Sequence, residues 1–187
     1  DVLDPDQLIE VVAAIAPTFG GINLEDIRSP ECFRIEQTLQ ARLDIPVFHD
    51  DQHGTAIILG ASLMNALEIT NRNLPDIKVV FSGAGAAGIA CANQLVKLGM
   101  SPGQIWMCDA AGLVYRGRQD LMFPEKETYA QGERPGTLAE ALVGADVFIG
   151  LSAANIVTPE MLQPMRSQPI IFAMANPDPE IKYELAR

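Results

Sequence analysis

A glycine-rich segment at residues 83–88 most constrains how this chain can fold. It follows a short apolar run that ends at Phe81 and opens a stretch with helical periodicity, Ala86–Leu98. In this strand–turn–helix context, the spacing Gly-x-Gly-x-x-Gly is typical of dinucleotide-binding folds. The three glycines serve a tight turn, a close approach to a pyrophosphate and helix–strand packing, and the helix N-terminus offers free N–H groups. We therefore predict a phosphate loop made of Gly83, Ala84, Gly85, Ala86, Ala87 and Gly88.

Four continuous apolar runs predict strands that are buried on both faces, as in parallel sheets. They are Ile77–Phe81, Ile105–Cys108, Val147–Leu151 and Ile170–Ala173. Helical stretches separate the runs, so the predicted fold class is α/β, with a doubly wound, mostly parallel Rossmann-type sheet. A full dinucleotide fold has more strands, so either the sheet is atypical or the chain stops early.

The first 45 residues differ from the rest. They contain two helix starts, at Asp4-Pro5 and at Ser29-Pro30-Glu31, with Asp4 and Ser29 as the predicted N-caps, and one short apolar segment that leads into an acidic pair. A third helix, over Thr55–Ile69, is apolar around much of its circumference and is expected to be buried. We predict that residues 1–45 end a smaller N-terminal domain and that residues 46–187 form the sheet domain, truncated at its C-terminus.

Composition and charge exclude several classes of protein. Lys and Arg number 13 and Asp and Glu 24, so the formal net charge of −11 disfavours nucleic acid and membrane surfaces. No apolar run reaches the roughly 18 residues of a membrane-spanning helix. The three cysteines, Cys32, Cys91 and Cys108, form no CxxC pair, which indicates buried thiols in a reducing compartment. We expect a cytoplasmic globular protein.

The residue that ends the second strand bears on the choice of cofactor. Asp109 lies about 20 residues after Gly88, where a carboxylate usually holds the adenine ribose and favours NAD. Arg116, Arg118 and Lys126 follow it. These cations either fold back to hold a 2′-phosphate or lie in a solvated loop. The residues alone leave NAD and NADP open.

Two acidic pairs, Glu25-Asp26 and Asp50-Asp51, each follow an apolar segment. Adjacent side chains point apart on a strand or helix, so the backbone must bend for both members of a pair to reach one point. Converging carboxylates repel one another unless a cation lies among them, and oxygen ligands suit Mg²⁺ or Mn²⁺. The alternative is a set of exposed turn acids.

Three further polar residues are candidates for a ligand site. His49 and His53 have a spacing that holds zinc on a helix, but Asp50 stands where zinc proteases have Glu. Gly54-Thr55 is the predicted helix start, so we expect both histidines in a loop, with their polar atoms satisfied. Asn176 follows the last strand, at the sheet edge where ligands bind, although an Asn-Pro turn explains it equally well.

Taken together, these segments resemble the malic enzyme family. The resemblance is carried by residues 17–27, residues 48–56, the glycine loop and Ala175-Asn176-Pro177, and it covers essentially the whole chain in the right order. The form His49-Asp50-Asp51-Gln52-His53-Gly54-Thr55 is similar to bacterial members of the type that can carry a phosphotransacetylase-like C-terminal domain.

The resemblance implies oxidative decarboxylation of L-malate to pyruvate and CO₂, with a nicotinamide cofactor and Mg²⁺ or Mn²⁺. It implies that Glu25, Asp26 and Asp51 are metal ligands and that Asp50 is a carboxylate close to the metal and the catalytic base. It places Ala84–Ala87 on the phosphate loop and gives Asn176 contacts with substrate and nicotinamide. NADP is favoured over NAD, because the bacterial type mostly uses NADP, and the full-length enzyme is expected to be a homo-oligomer.

One departure from the family pattern concerns the catalytic acid and base. The resemblance implies a tyrosine and a lysine upstream of these motifs, and neither has a matching position in this sequence, which begins with Asp1. We therefore expect a fragment that does not turn over malate by itself, although it can bind a dinucleotide. The alternatives are a different NAD(P)-dependent dehydrogenase and a non-catalytic nucleotide-binding module.

Overall fold

The computed structural model describes residues 4–187, in which the strands form two separate sheets. The smaller sheet contains β1 (Ile22–Leu24) and β2 (Val47–His49), which are parallel. The larger sheet contains β3 (Val79–Ser82), β4 (Ile105–Asp109), β5 (Gly112–Leu113), β6 (Val147–Gly150) and β7 (Ile170–Ala173).

The larger sheet has the strand order β5-β4-β3-β6-β7. The pairs β3–β4, β3–β6 and β6–β7 are parallel, and only the two-residue edge strand β5 runs antiparallel to its neighbour. The predicted α/β class with a mostly parallel sheet is therefore confirmed. Each of the four predicted strands is present. The sequence did not predict β5, because a strand of two residues is too short to show a hydrophobic pattern.

Helices flank the strands. The long ones are α1 (Pro5–Ile15), α2 (Glu31–Arg42), α3 (Thr55–Thr70) and α4 (Ala86–Lys97), and the short ones are α5 (Pro124–Glu127), α6 (Leu138–Leu142), α7 (Pro159–Leu162) and α8 (Tyr183–Ala186). The carboxylate of Asp4 caps α1 by accepting the N–H of Asp6 at 3.0 Å, and Thr137 forms a capping box with Glu140.

The prediction that Ser29 starts the second helix as a cap is wrong. The residue before α2 is Pro30, no side chain caps the helix, and Ser29 Oγ is buried without a hydrogen-bond partner. The cause is that the N–H of Cys32 already bonds to the carbonyl of Arg28 at 3.0 Å, which encloses Ser29 within the turn.

Both faces of the larger sheet are covered. On one face, α3 and α4 pack their apolar side chains against β3, with Leu63, Phe81 and Leu95 fully buried. The other face is covered by α6, α7 and residues such as Val157. A third cluster joins α1, α2 and the smaller sheet, and consists of Ile9, Leu24, Ile35, Leu39 and Val47. Val47 lies beyond the predicted domain boundary at residue 45 and still packs with the N-terminal helices. The position of the boundary between the two domains therefore stays a prediction.

The cysteine thiols are buried and free of disulfides, in agreement with the composition. Burial raises the pKa of both Cys91 and Cys108 to about 12, so these thiols stay protonated at neutral pH. Within residues 4–187, no helix combines the length and the apolar character that crossing a membrane requires.

Replacing Phe148 by alanine tests the packing of the sheet. The side chain is fully buried on β6, so Phe148→Ala is expected to lower the free energy of unfolding by about 3–5 kcal/mol. Ile69→Ala is the control, because Ile69 is 85% exposed at the end of α3 and its loss should cost less than about 0.5 kcal/mol. Urea unfolding measures both variants, and equal losses would contradict the assignment of Phe148 to the core.

Candidate functional site

The first glycine of the 83–88 turn is held in a conformation that side chains rarely adopt. Gly83 has φ +113°, and its N–H donates to the carbonyl of Cys108 at 2.8 Å. A Cβ at this position would lie 2.8 Å from the carbonyl carbon of Leu151. The turn therefore needs glycine both for its backbone angle and for the close passage of the chain after β6.

The other two glycines have separate tasks. A Cβ on Gly88 would press on the backbone of Gly83, at 3.0 Å from its carbonyl carbon, so Gly88 allows α4 to pack against the turn. Gly85 is exposed, and a Cβ there would meet no protein atom within 4 Å. The space above Gly85 is thus open to a ligand.

The start of α4 is suited to an anion. The helix has 12 residues, Gly85 precedes it, and no side chain caps it. Because the first turn of a helix leaves N–H groups without intrahelical acceptors, these groups and the positive end of the helix dipole face the open space at Gly85. A pyrophosphate is the ligand that this arrangement fits best.

The turn lies at the point where the strand order of the sheet reverses. From β3 the chain moves to β4 on one side, and it later returns to β6 on the other side. Ligands of such sheets bind in the crevice at the carboxyl ends of these strands. Ser152 follows β6 there, with its Oγ 2.8 Å from Ser82 Oγ. Asn176 follows β7 at the same edge and is exposed.

Sequence reasoning did not identify Ser152 at this edge. The only signal for it is a small polar residue directly after an apolar run. That signal is weak, because serine is common in turns.

Asp109 lies in a buried cluster with two of the three cations that follow it. Its Oδ2 accepts hydrogen bonds from Arg118 Nη2 at 2.5 Å and from Lys126 Nζ at 2.7 Å, and its Oδ1 accepts the N–H of Ala111 at 2.9 Å. Arg118 and Lys126 are only 6% and 5% exposed, so they do not form a solvated loop. Both fold back onto Asp109, and the alternative that they hold a 2′-phosphate stays a prediction.

The ionisation of Asp109 follows from these contacts. Burial by itself would raise the pKa of the carboxyl, but the hydrogen bonds from Arg118 and Lys126 outweigh it and hold the pKa below its usual value. One carboxylate and two cations leave the cluster with a net charge of one positive unit. Arg116 remains exposed and outside the cluster.

The two acidic pairs leave the same end of the smaller sheet. Leu24 pairs with His49 across the parallel strands, so Glu25 and Asp50 are the next residues on each strand. Asp26 has φ +56°, which provides the predicted bend, and its N–H donates to Asp51 Oδ2 at 2.8 Å. Glu25 Oε1 accepts a hydrogen bond from Asn23 at 2.8 Å.

These carboxylates fit a divalent metal by chemical type, although they do not form a closed set. No three His, Cys, Asp or Glu side chains among residues 4–187 are grouped closely enough to hold a metal ion. The hydrogen bond between Asp26 and Asp51 nevertheless brings together two segments that contribute only oxygen ligands, which Mg²⁺ and Mn²⁺ prefer. The carboxyl of Asp50 folds back over Gly54, where an added Cβ would lie 3.0 Å from Asp50 Cγ.

The expectation that both histidines have satisfied polar atoms is wrong for His49, whereas His53 does have a polar partner. His49 is the last residue of β2, it is fully buried, and neither ring nitrogen has a hydrogen-bond partner. The pairing of β2 with β1 turns residues 47 and 49 inward, which explains its burial. Residues 50–54 form a π-helical turn that continues into α3, and His53 Nε2 lies 2.7 Å from Glu36 Oε1.

Comparisons with known proteins give two matches along the chain. The family model described as "Malic enzyme, NAD binding domain" matches residues 52–185, and the one described as "Malic enzyme, N-terminal domain" matches residues 2–40.

Individual proteins agree with these models. The chain is 54% identical over 190 residues to an NADP-dependent malic enzyme of Salmonella typhimurium, covering 100% of this chain and 25% of that protein. It is 53% identical over 182 residues to an NAD-dependent malic enzyme of Rhizobium meliloti, covering 97% of this chain and 24% of that protein. The solved structure of an NAD-dependent malic enzyme from Thermotoga maritima matches with TM-score 0.92 and 41% identity, over 100% of this chain and 50% of that one. The chain thus spans about a quarter of the length of these two curated relatives.

Filling the open space at Gly85 tests the phosphate loop. Gly85→Val is expected to weaken dinucleotide binding about tenfold or more, because the side chain would occupy the space of the pyrophosphate. The melting temperature without ligand should not change, since the backbone at Gly85 is extended and a Cβ meets no neighbour. Fluorescence titration with NAD and NADP measures the affinity.

Gly103→Val is the matched control. Gly103 lies in the turn before β4, at the opposite end of the sheet, where a Cβ would make only an ordinary contact with Ser101 Oγ. This variant should bind the dinucleotides as the unmodified protein does. Full affinity in Gly85→Val would exclude the turn as the phosphate site.

Proposed function

The chain belongs to the malic enzyme family, and we propose that it supplies the dinucleotide-binding and metal-binding parts of an enzyme that oxidatively decarboxylates L-malate to pyruvate and CO₂ with reduction of NAD(P). The observation that carries the proposal is the combination of an open glycine turn at the strand-order reversal with two acidic pairs at one end of a parallel strand pair. A different dinucleotide enzyme would need the first feature and not the second.

Each part of the chain has a task in this proposal. Residues 1–45 close the N-terminal domain and contribute Glu25 and Asp26, and residues 46–187 form the NAD(P)-binding domain. The turn at Gly83–Gly88 holds the pyrophosphate, and Asn176 orients the nicotinamide and the substrate at the same sheet edge. The dinucleotide supplies the acceptor for the hydride of the malate C2 carbon.

The carboxylates Glu25, Asp26 and Asp51 would hold Mg²⁺ or Mn²⁺. The ion would supply Lewis-acid polarisation of the malate C2 oxygen. Asp51 receives the N–H of Asp26, so the backbone of one acidic segment orients the carboxylate of the other. Asp50 opens the π-helical turn beside them and would act as a carboxylate near the metal and the base.

We propose NADP as the preferred cofactor. Asp109 would favour NAD if its oxygens were free for the ribose hydroxyls, but both oxygens already accept hydrogen bonds within the protein. The positive charge of the cluster attracts a 2′-phosphate. Relatives of both kinds are known, so affinity measurements decide this point.

Removing one proposed metal ligand tests the activity. In the protein encoded by the complete gene, Asp51→Asn is expected to abolish tight Mn²⁺ binding and to lower malate-dependent NADP reduction by about 100-fold or more. Electron paramagnetic resonance measures bound Mn²⁺, and absorbance at the NADPH band measures the rate. Asp44→Asn, at an exposed position before β2, is the control.

Three outcomes of this assay bear on the proposal. Unchanged Mn²⁺ affinity in Asp51→Asn would remove Asp51 from the ligand set. Absence of malate turnover in the unmodified enzyme with Mn²⁺ and either cofactor would refute the proposed function. The 187 residues by themselves are predicted to show no turnover in the same assay.

Changing the charge of the Asp109 cluster tests the cofactor preference. Lys126→Gln removes one cation and frees a lone pair of Asp109 for a ribose hydroxyl. The ratio of kcat/KM for NADP to that for NAD is expected to fall about tenfold. Lys97→Gln, at an exposed position at the end of α4, should leave the ratio unchanged. An equal loss with both cofactors would show that Lys126 acts only on stability.

A further inference from the structure

Glu180 is a fully buried carboxylate between the carboxyl ends of β6 and β7. Its Oε1 accepts the N–H of Ser152 at 2.9 Å and the hydroxyl of Ser152 at 3.4 Å. Its Oε2 accepts the N–H of Ala175 at 3.1 Å. One carboxylate therefore joins the segment after β6 to the segment after β7.

The burial of Glu180 is not explained by an ion pair. Within residues 4–187, no Arg, Lys or His nitrogen lies within salt-bridge distance of its carboxylate. Burying a charge is costly, and three neutral donors provide the compensation. Because these donors come from two separate segments, the carboxylate fixes the position of one segment relative to the other.

The neighbouring strand is shaped to admit this carboxylate. Gly150 ends β6, and a Cβ there would lie 2.7 Å from Glu180 Oε1. The absence of a side chain at Gly150 thus leaves the space in which the carboxylate sits. The carbonyl of Glu180 also accepts the N–H of Val157 at 3.0 Å, which fixes the backbone that carries the side chain.

Both segments that Glu180 joins belong to the proposed cofactor site. Ser152 contacts Ser82, and Ser82 directly precedes the glycine turn at Gly83. Ala175 directly precedes Asn176. The carboxylate therefore connects the base of the phosphate loop with the residue proposed to meet the nicotinamide and the substrate.

We propose that Glu180 is a positioning residue, which sets Asn176 relative to the phosphate loop and so aligns the nicotinamide with malate for hydride transfer. This inference rests on the proposed function. The phosphate loop itself does not depend on Glu180, because its own glycines and α4 form it. The effect of Glu180 should therefore fall on turnover and not on cofactor affinity.

The test is Glu180→Gln in the protein encoded by the complete gene. Glutamine keeps the size of the side chain but turns one acceptor into a donor that faces a backbone N–H, so one of the two connections is lost. With saturating malate and Mn²⁺, kcat is expected to fall about tenfold. The dissociation constant for NADP, from fluorescence titration, should stay within about twofold.

An isotope effect separates alignment from simple destabilisation. With malate deuterated at C2, Glu180→Gln should show a larger primary isotope effect on kcat/KM than the unmodified enzyme, because hydride transfer becomes more rate-limiting. A loss of folded protein lowers the apparent rate without changing this ratio. Glu184→Gln is the matched control, since Glu184 is exposed on the neighbouring helix α8, and it should change neither quantity.

Gly150→Ala gives a second test that leaves the carboxylate in the sequence. Its methyl group would push Glu180 away from Ser152, so the same fall in kcat and the same rise in the isotope effect are expected. An unchanged kcat and isotope effect in folded Glu180→Gln or Gly150→Ala would overturn the proposal. So would a loss of NADP affinity in proportion to kcat. An unmodified enzyme that turns over no malate would overturn the proposed function, and with it this role of Glu180.

Discussion

The close contact between Gly83 and the backbone of Leu151 is the constraint on which the site depends. Gly83 donates its N–H to Cys108 at the end of β4, while Leu151 donates its own N–H to Ser82 at the end of β3. Three adjacent strand ends are thus tied together within one turn, and a side chain at residue 83 would separate them. The helix α4 begins directly after this turn, so its N-terminus and the open space above Gly85 lie at the carboxyl ends of these strands.

The proposed metal-binding residues of the second acidic pair are connected to the glycine turn through α3. Asp50 and Asp51 lie in a π-helical turn that continues into this helix, and α3 packs on α4, whose N-terminus borders the phosphate loop. His53, in the same turn, contacts Glu36 of α2. Asp50 and Asp51 therefore lie in a turn that is fixed by helix packing, and not in a free loop. Their distance from the proposed nicotinamide site is set by helix packing, which suits a reaction in which metal and hydride acceptor act on neighbouring atoms of one substrate.

The sequence was informative where the relevant signal is local. Apolar runs predicted the parallel strands because burial on both faces removes polar alternation, and the glycine spacing predicted the turn because few residues other than glycine fit there. Features decided by distant partners were missed. The burial of His49 depends on its register with Leu24, and the capture of Arg118 and Lys126 by Asp109 depends on a chain path that no spacing reveals. The contacts of Glu180 were not predicted for the same reason. Its carboxylate accepts the N–H groups of Ser152 and Ala175, which lie 28 and 5 residues away in the sequence.

The charge of the chain gives these local features their importance. A net charge of −11 repels anions such as the proposed dinucleotide and malate, so the proposed binding needs sites where the local potential is reversed. The start of α4 and the Asp109 cluster provide two such sites, and a divalent ion among Glu25, Asp26 and Asp51 would provide a third. Because the pKa of Asp109 is lowered, its carboxyl stays ionised and paired at pH values at which an ordinary carboxyl begins to take up a proton. The pairing is lost only as the pH falls through that lowered value. Near neutral pH Asp109 is therefore ionised, and if NADP is the cofactor as proposed, the second ionisation of its 2′-phosphate, close to pH 6 in phosphate monoesters, would strengthen the attraction between that phosphate and the cluster.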